Sequence, residues 1–181
     1  MKYKLTDVKI NFMGKTLFQI EAVKCFGNIV KGQKGGFIEK ESNLSQGGDA
    51  WVYGDAWVSG NAKVYGDAKV YGDAWVYGDA EVSGDAKVYG NAKVYGDAEV
   101  SGNAKVYGNA DYLVIGPIGS RNDITTFFKT VNNDIKVSCG CFTGNIEEFL
   151  EKVNETHGNN NYAKEYKTAV EIAKIHIFGG E

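Results

Sequence analysis

The chain of 181 residues has one proline, Pro117, one arginine, Arg121, two histidines and three cysteines. It has no apolar run near the roughly 20 residues that a helix needs to span a bilayer, so a membrane-spanning helix is excluded. Strong charge of one sign is also missing. A formal charge of −3 is too small for a disordered polyelectrolyte, and the acidic pI near 5.5 supplies no general field for nucleic acid. Only a local basic stripe could attract phosphates. The three cysteines, Cys25, Cys139 and Cys141, are an odd set that suits free thiols in a reducing compartment better than a disulfide framework. The opening residues Met1 to Asp7 are not followed by an apolar core of signal-peptide length, so a cytoplasmic protein is expected.

What is abundant is a repeat. Gly-Asp/Asn-Ala-x-Val-Tyr/Ser recurs every six residues from Gly48 to the neighbourhood of Tyr112, with valines from Val52 to Val106 and alanines from Ala50 to Ala104. Strand side chains alternate, so each Ala and Val share one face while the intervening residue and the following Tyr or Ser point the other way. Glycine followed by Asp or Asn tolerates positive φ and turns a corner. A period of six fits neither an α-helix nor a coiled coil. An interior lined by Ala and Val is narrow, and three sides close it without a void, giving coils of 18 residues. Ile38 and Leu44 stay in phase with the alanines, which predicts a degenerate coil from about Gly36.

Sorting the outward residues with a period of 18 gives three different faces. One carries Trp51, Lys69, Lys87 and Lys105 beside Tyr53, Tyr71, Tyr89 and Tyr107; the second carries Trp57, Trp75 and Lys93 beside Ser59, Tyr77 and Tyr95. The third, with Lys63, Glu81 and Glu99, reads as a solvated face. Stacked like charges destabilise a sheet, so the lysine column suggests a binding face unless carboxylates such as Asp67 or Asp85 lie beside it. The aromatic columns have a plainer alternative, packing in a subunit interface or beneath the terminal segments.

Val52-Tyr53-Gly54-Asp55-Ala56-Trp57 resembles the motif of hexapeptide-repeat, left-handed β-helix proteins. That resemblance implies a left-handed parallel β-helix and frequent homotrimers. The expected organisation is mainly β: an N-terminal β cap over 1–35, a three-sided solenoid over 36–112 and a small α+β domain over 113–181. In the cap, strands are expected from Lys4 to Phe12 and Thr16 to Lys24. Beyond Tyr112, Ile115 to Ser120 reads as a turn-rich exit, and Ile124 to Thr130 with Ile135 to Cys141 as a hairpin. Helices follow from an Asn145 cap to Gly158, burying Ile146, Phe149, Leu150 and Val153, and from about Asn161 to His176, with Tyr162, Tyr166, Ala169, Val170 and Ala173 on one stripe. The flanks, including Gly35-Gly36-Phe37-Ile38-Glu39 and Ile118-Gly119-Ser120-Arg121-Asn122-Asp123, are similar to uncharacterised hexapeptide proteins of phages and prophages, a group that implies an origin and no reaction.

The best-known enzymes of this fold are acyltransferases with a histidine base between coils, and γ-type carbonic anhydrases with three histidines on zinc. With two histidines the second is excluded, and both His157 and His176 lie outside the repeats, leaving His157 as the one candidate for an atypical base. Cys139 and Cys141 could join these histidines on a metal, or a thiol activated by His157 could act as a nucleophile, but a strand that carries both sulfurs beside Val137 and Ile135 favours buried free thiols. No metal or other cofactor is expected. Arg121 stands in a glycine-rich turn, where it could clamp an anion in two-pronged fashion or hold a structural ion pair. The favoured expectation is a non-enzymatic, homotrimeric binding protein of phage or prophage origin. Its candidate binding residues are Arg121, Lys69, Lys87, Lys105, Tyr71, Tyr89, Tyr107, Trp57 and Trp75, and its partner a host protein or an anionic small molecule, as in counter-defence. An acyltransferase using His157 and a structural rod are the alternatives.

Overall fold

In the computed structural model, which describes residues 1–179, the chain builds a β-solenoid closed by an N-terminal hairpin and a C-terminal α+β part. The hairpin is β1 (Tyr3–Phe12) with β2 (Lys15–Ala22), and β3 (Lys34–Ile38) follows. Ten two-residue strands, one per repeat, then run from β4 (Trp51–Val52) to β13 (Lys105–Val106). They stack as three parallel columns. One contains β4, β7 (Lys69–Val70), β10 (Lys87–Val88) and β13; another contains β6 (Lys63–Val64), β9 (Glu81–Val82) and β12 (Glu99–Val100). The third, β5 (Trp57–Val58), β8 (Trp75–Val76) and β11 (Lys93–Val94), continues through β3 into the antiparallel hairpin. Within the regular coils each residue pairs with the one 18 positions on, as Lys69 does with Lys87 and Val70 with Val88.

The interior is the predicted one: every alanine from Ala50 to Ala104 and every valine from Val52 to Val106 is buried. Inter-coil bonds such as Lys69 N to Ala86 O (2.9 Å) and Tyr71 N to Val88 O (3.0 Å) satisfy the backbone along the axis. Gly78 shows why the corner needs glycine. Its φ is +76°, and a Cβ there would stand 2.9 Å from the amide nitrogen of Gly96 in the next coil.

The first coil departs from the expected phase. Ile38 pairs with Val58 and Leu44 with Val64, twenty residues on, so both join the valine columns and not the alanine ones. The extra two residues lie in the corner between Leu44 and Ala50, which contains Gly47 and Gly48. Lys2 fills this wider corner. It is 1% exposed, and its ammonium donates to the carbonyls of Gly47 (3.3 Å), Gly48 (3.2 Å) and Ala50 (2.8 Å). Burial lowers the Lys2 pKa to about 8 despite the opposing pull of Asp49 and Asp67. Trp51 belongs to this plug and not to an outer face: it is fully buried, with Tyr3 and Phe26 edge-on to its ring.

At the other end Tyr112 to Ile118 is a strand, β14, where the sequence suggested a turn-rich exit. It forms an antiparallel sheet with β15 (Asp123–Lys129), β16 (Ile135–Cys139) and β17 (Phe142–Asn145). The stretch Thr125-Thr126-Phe127-Phe128 of β15 is buried on both faces. Phe128 packs into the solenoid core and Phe127 into the helical layer, while the Thr126 hydroxyl accepts from Glu99 N. The C-terminal sheet therefore closes the last coil of its own chain.

Helices α1 (Ile146–His157) and α2 (Asn161–Phe178) cover the outer side of that sheet. Asn145 caps α1 reciprocally with Glu148. On α1, Phe149 and Val153 are buried while Ile146 and Leu150 are half-buried; on α2, Tyr162 is exposed and the rest of the expected stripe is buried. The narrow interior sets the first prediction. Ala86→Leu overfills a fully closed coil and should destabilise the protein by about 1–3 kcal/mol, read as a lower urea midpoint at unchanged slope.

Candidate functional site

The column β4, β7, β10, β13 presents Lys69, Lys87 and Lys105 directly above one another, at the roughly 4.8 Å separation of neighbouring strands. No carboxylate lies within 4 Å of any of the three ammonium groups among the described residues. The fold can neutralise such a column. On the adjoining face Lys63 pairs with Glu81 of the next coil at 2.9 Å, and Tyr65 adds a hydrogen bond to the same carboxylate. Asp67 and Asp85, the carboxylates that the sequence offered for the lysine column, do not perform that service.

Beside the lysines runs the tyrosine column. The Tyr71 and Tyr89 rings stack at 4.9 Å with planes 9° apart; Tyr107 meets Tyr89 edge-on at 5.2 Å and is 60% exposed. Tyr71 and Tyr89 take up each other's facing sides, which leaves their edges and hydroxyls for a partner, while Tyr107 is open to solvent. Burial raises the Tyr71 pKa, so its hydroxyl stays a neutral donor near neutral pH. Lysine ammonium and tyrosine hydroxyl columns together make a surface rich in hydrogen-bond donors, matched to oxyanions. A hollow of about 370 Å³ lined by Tyr89, Lys105, Tyr107 and Asp111 ends the face where it meets the C-terminal sheet.

Trp57 and Trp75 stand on a different side, that of β5 and β8, and do not join the lysines. Their rings lie 4.5 Å apart, and the hairpin tip folds over them, with Phe12 at 4.8 Å and 5.1 Å from the two. The tryptophans thus pack in part beneath a terminal segment, one of the two plain alternatives for the aromatic columns. The tip turns through Met13 and Gly14, both at positive φ. It is clipped down by Glu39, whose Oε2 accepts from Lys15 Nζ at 2.9 Å and from Gly60 N at 2.5 Å. Burial pushes the Glu39 carboxyl up, but the Gly60 amide and Lys15 outweigh it and hold the pKa below its ordinary 4.5. Phe12 and the clip went unnoticed in the sequence, where a lone aromatic at a turn carries no signal.

The remaining candidates lie in the C-terminal part. Arg121 sits in the β14–β15 turn, 64% exposed, 3.9 Å from Asp123 and lying across Gly140. His157 is in the last turn of α1, with its ring 5.8 Å from Tyr162 and 5.9 Å from Tyr166. Neither is brought to the lysine or tryptophan columns. Cys139 is half-buried, 3.3 Å from Thr125 Oγ1, but Cys141 is exposed, because the chain reverses at Gly140 and the second sulfur never enters the strand. Burial, with Cys139 beside it, pushes the Tyr166 hydroxyl up to about 12. Among the described residues no group of three or more His, Cys, Asp or Glu is placed to hold a metal.

The chain matches no protein-family model and no curated protein. Two predictions test the geometry. Lys87→Glu should raise the urea midpoint in low salt by relieving the middle of the column, with the gain fading at 1 M salt, where the Debye length is about 3 Å. A carboxyl with a depressed pKa stabilises the fold above its ordinary value and loses that contribution as pH falls through the folded value. Glu39→Gln should therefore lower the melting temperature at pH 7, and by progressively less as the pH falls through the folded value, giving a shallower acid limb in thermal melts than the parent.

Proposed function

We propose that this protein is a non-enzymatic binding protein whose lysine and tyrosine face engages an anionic partner. The observation that carries the reading is the column of Lys69, Lys87 and Lys105, stacked without carboxylate partners within 4 Å among the described residues, on a fold that neutralises the adjoining face. Such a column costs stability, and an anion laid along it offsets the cost. The mutual stacking of Tyr71 and Tyr89 takes up ring faces that bases would need, which argues against nucleic acid. A carboxylate-bearing surface, as on an acidic protein, meets both columns with acceptors.

The resemblance of the flanks to phage and prophage hexapeptide proteins supports a viral origin and a setting in the host cytoplasm, with a host protein as the partner. The repeat's resemblance to the left-handed β-helix group supports a homotrimer. Three like-charged lysine columns would repel across a subunit boundary, so within that assembly the lysine face points outward.

The test is direct. Poly-L-glutamate should bind the parent protein with an affinity that falls as salt rises, and the triple variant Lys69→Glu, Lys87→Glu, Lys105→Glu should bind it at least tenfold more weakly. Equal affinity of parent and variant would remove the face from the account.

A further inference from the structure

We propose that the groove between the hairpin tip and the tryptophan column is a second binding site, one that takes a planar aromatic anion. The groove has a volume of about 530 Å³, within the range of small-molecule sites, and the rings of Phe12, Trp57, Trp75 and Tyr77 line it. Its walls are held: Trp57 is 8% exposed, and Glu39 clips the tip to Gly60 on the solenoid. The polar groups at the rim are Ser59, which is 2% exposed, Asn61, Asp79, Lys15 and Lys93.

Charge decides the class of ligand. Lys15 is neutralised by Glu39 at 2.9 Å. Asp79 accepts from Asn61 Nδ2 at 3.0 Å, and Asn61 Oδ1 in turn accepts from Lys40 Nζ at 3.0 Å, so that carboxylate is linked through an amide to a cation. Lys93 is left over. Its ammonium lies 4.3 Å from the centre of the Trp75 ring and has no carboxylate within 4 Å among the described residues. A cation resting on an indole is weakly held, and it covers the side of Trp75 away from Trp57. A flat ring stacking on Trp75 takes that place, and the displaced ammonium turns to pair with an anionic substituent on the ligand. One movement of Lys93 thus supplies both the aromatic face and the charge. A neutral aromatic would displace the ammonium without giving it a counter-ion, and a cationic one would meet it as a like charge.

This site is on a different face from the lysine and tyrosine columns, and its test is separate from theirs. The probes are 1-naphthoate, 1-naphthyl phosphate and the uncharged 1-naphthamide, titrated against the full chain by calorimetry, with tryptophan emission as a second reading. The parent should prefer at least one of the two anions over the amide by about tenfold, the scale of one charge-assisted hydrogen bond. Lys93→Met should abolish that preference while leaving amide binding in place, because the side chain keeps its length and loses only its charge. Trp75→Ala should weaken every probe, with far-ultraviolet circular dichroism confirming the fold. The triple lysine-column variant should bind the probes as the parent does. Equal affinity for anions and amide in the parent, absence of saturable binding, or a preference that survives Lys93→Met would overturn the proposal.

Discussion

The solenoid depends on a narrow interior that its regular coils line with alanine and valine. Three two-residue strands close around those side chains, and the backbone then has one way to satisfy itself, by bonding to the coil before and the coil after. Strict stacking follows: each outward residue stands on its counterpart 18 positions away. Faces are therefore columns of vertically stacked side chains, and a substitution in the repeat acts on a column and not on an isolated spot. Lysine over lysine, tyrosine over tyrosine and tryptophan over tryptophan are consequences of that geometry.

A solenoid made this way has open ends, and the two ends are closed by different physics. At the start, a wider corner leaves carbonyls of Gly47, Gly48 and Ala50 facing inward, and the buried Lys2 ammonium collects them while Tyr3 and Trp51 cover the coil. At the finish, β15 serves two cores at once, with Phe128 turned to the solenoid and Phe127 to the helices. Unpaired edges that would otherwise recruit another chain are covered at both points. The hairpin does more than close an end. By extending one column and folding its tip back over Trp57 and Trp75, it converts a flat aromatic strip into a groove.

Much of the fold was legible because the repeat is nearly exact. Ten valines in phase leave little choice of architecture, and Asn145 with Glu148 announces α1 through capping chemistry that is local in sequence. The readings that changed depend on non-local facts. Ile38 and Leu44 share the alanine phase in the sequence, but the widened Gly47-Gly48 corner shifts them to the valine columns. Ile115 to Ile118 looked like an exit because Gly116 and Pro117 interrupt it, yet pairing with β15 makes it a strand. The alternation of the sequence puts Cys141 on a strand face, but the reversal at Gly140 places it in solvent. For the candidate sites, period 18 separated the columns correctly but says nothing about what lies over them. Period 18 sets Trp51 with the lysines although the cap buries it, and it gives no sign of the groove because Phe12 lies far from Trp75 in the chain.

The central claim is that the lysine and tyrosine face of the solenoid is the one that engages an extended polyanionic partner. Two-dimensional amide NMR of the protein titrated with poly-L-glutamate tests it residue by residue. The account predicts shift changes concentrated at residues 69–71, 87–89 and 105–107, on one column of strands. Shifts spread evenly over all three faces, or gathered on the face of Lys63 and Glu81, would contradict it.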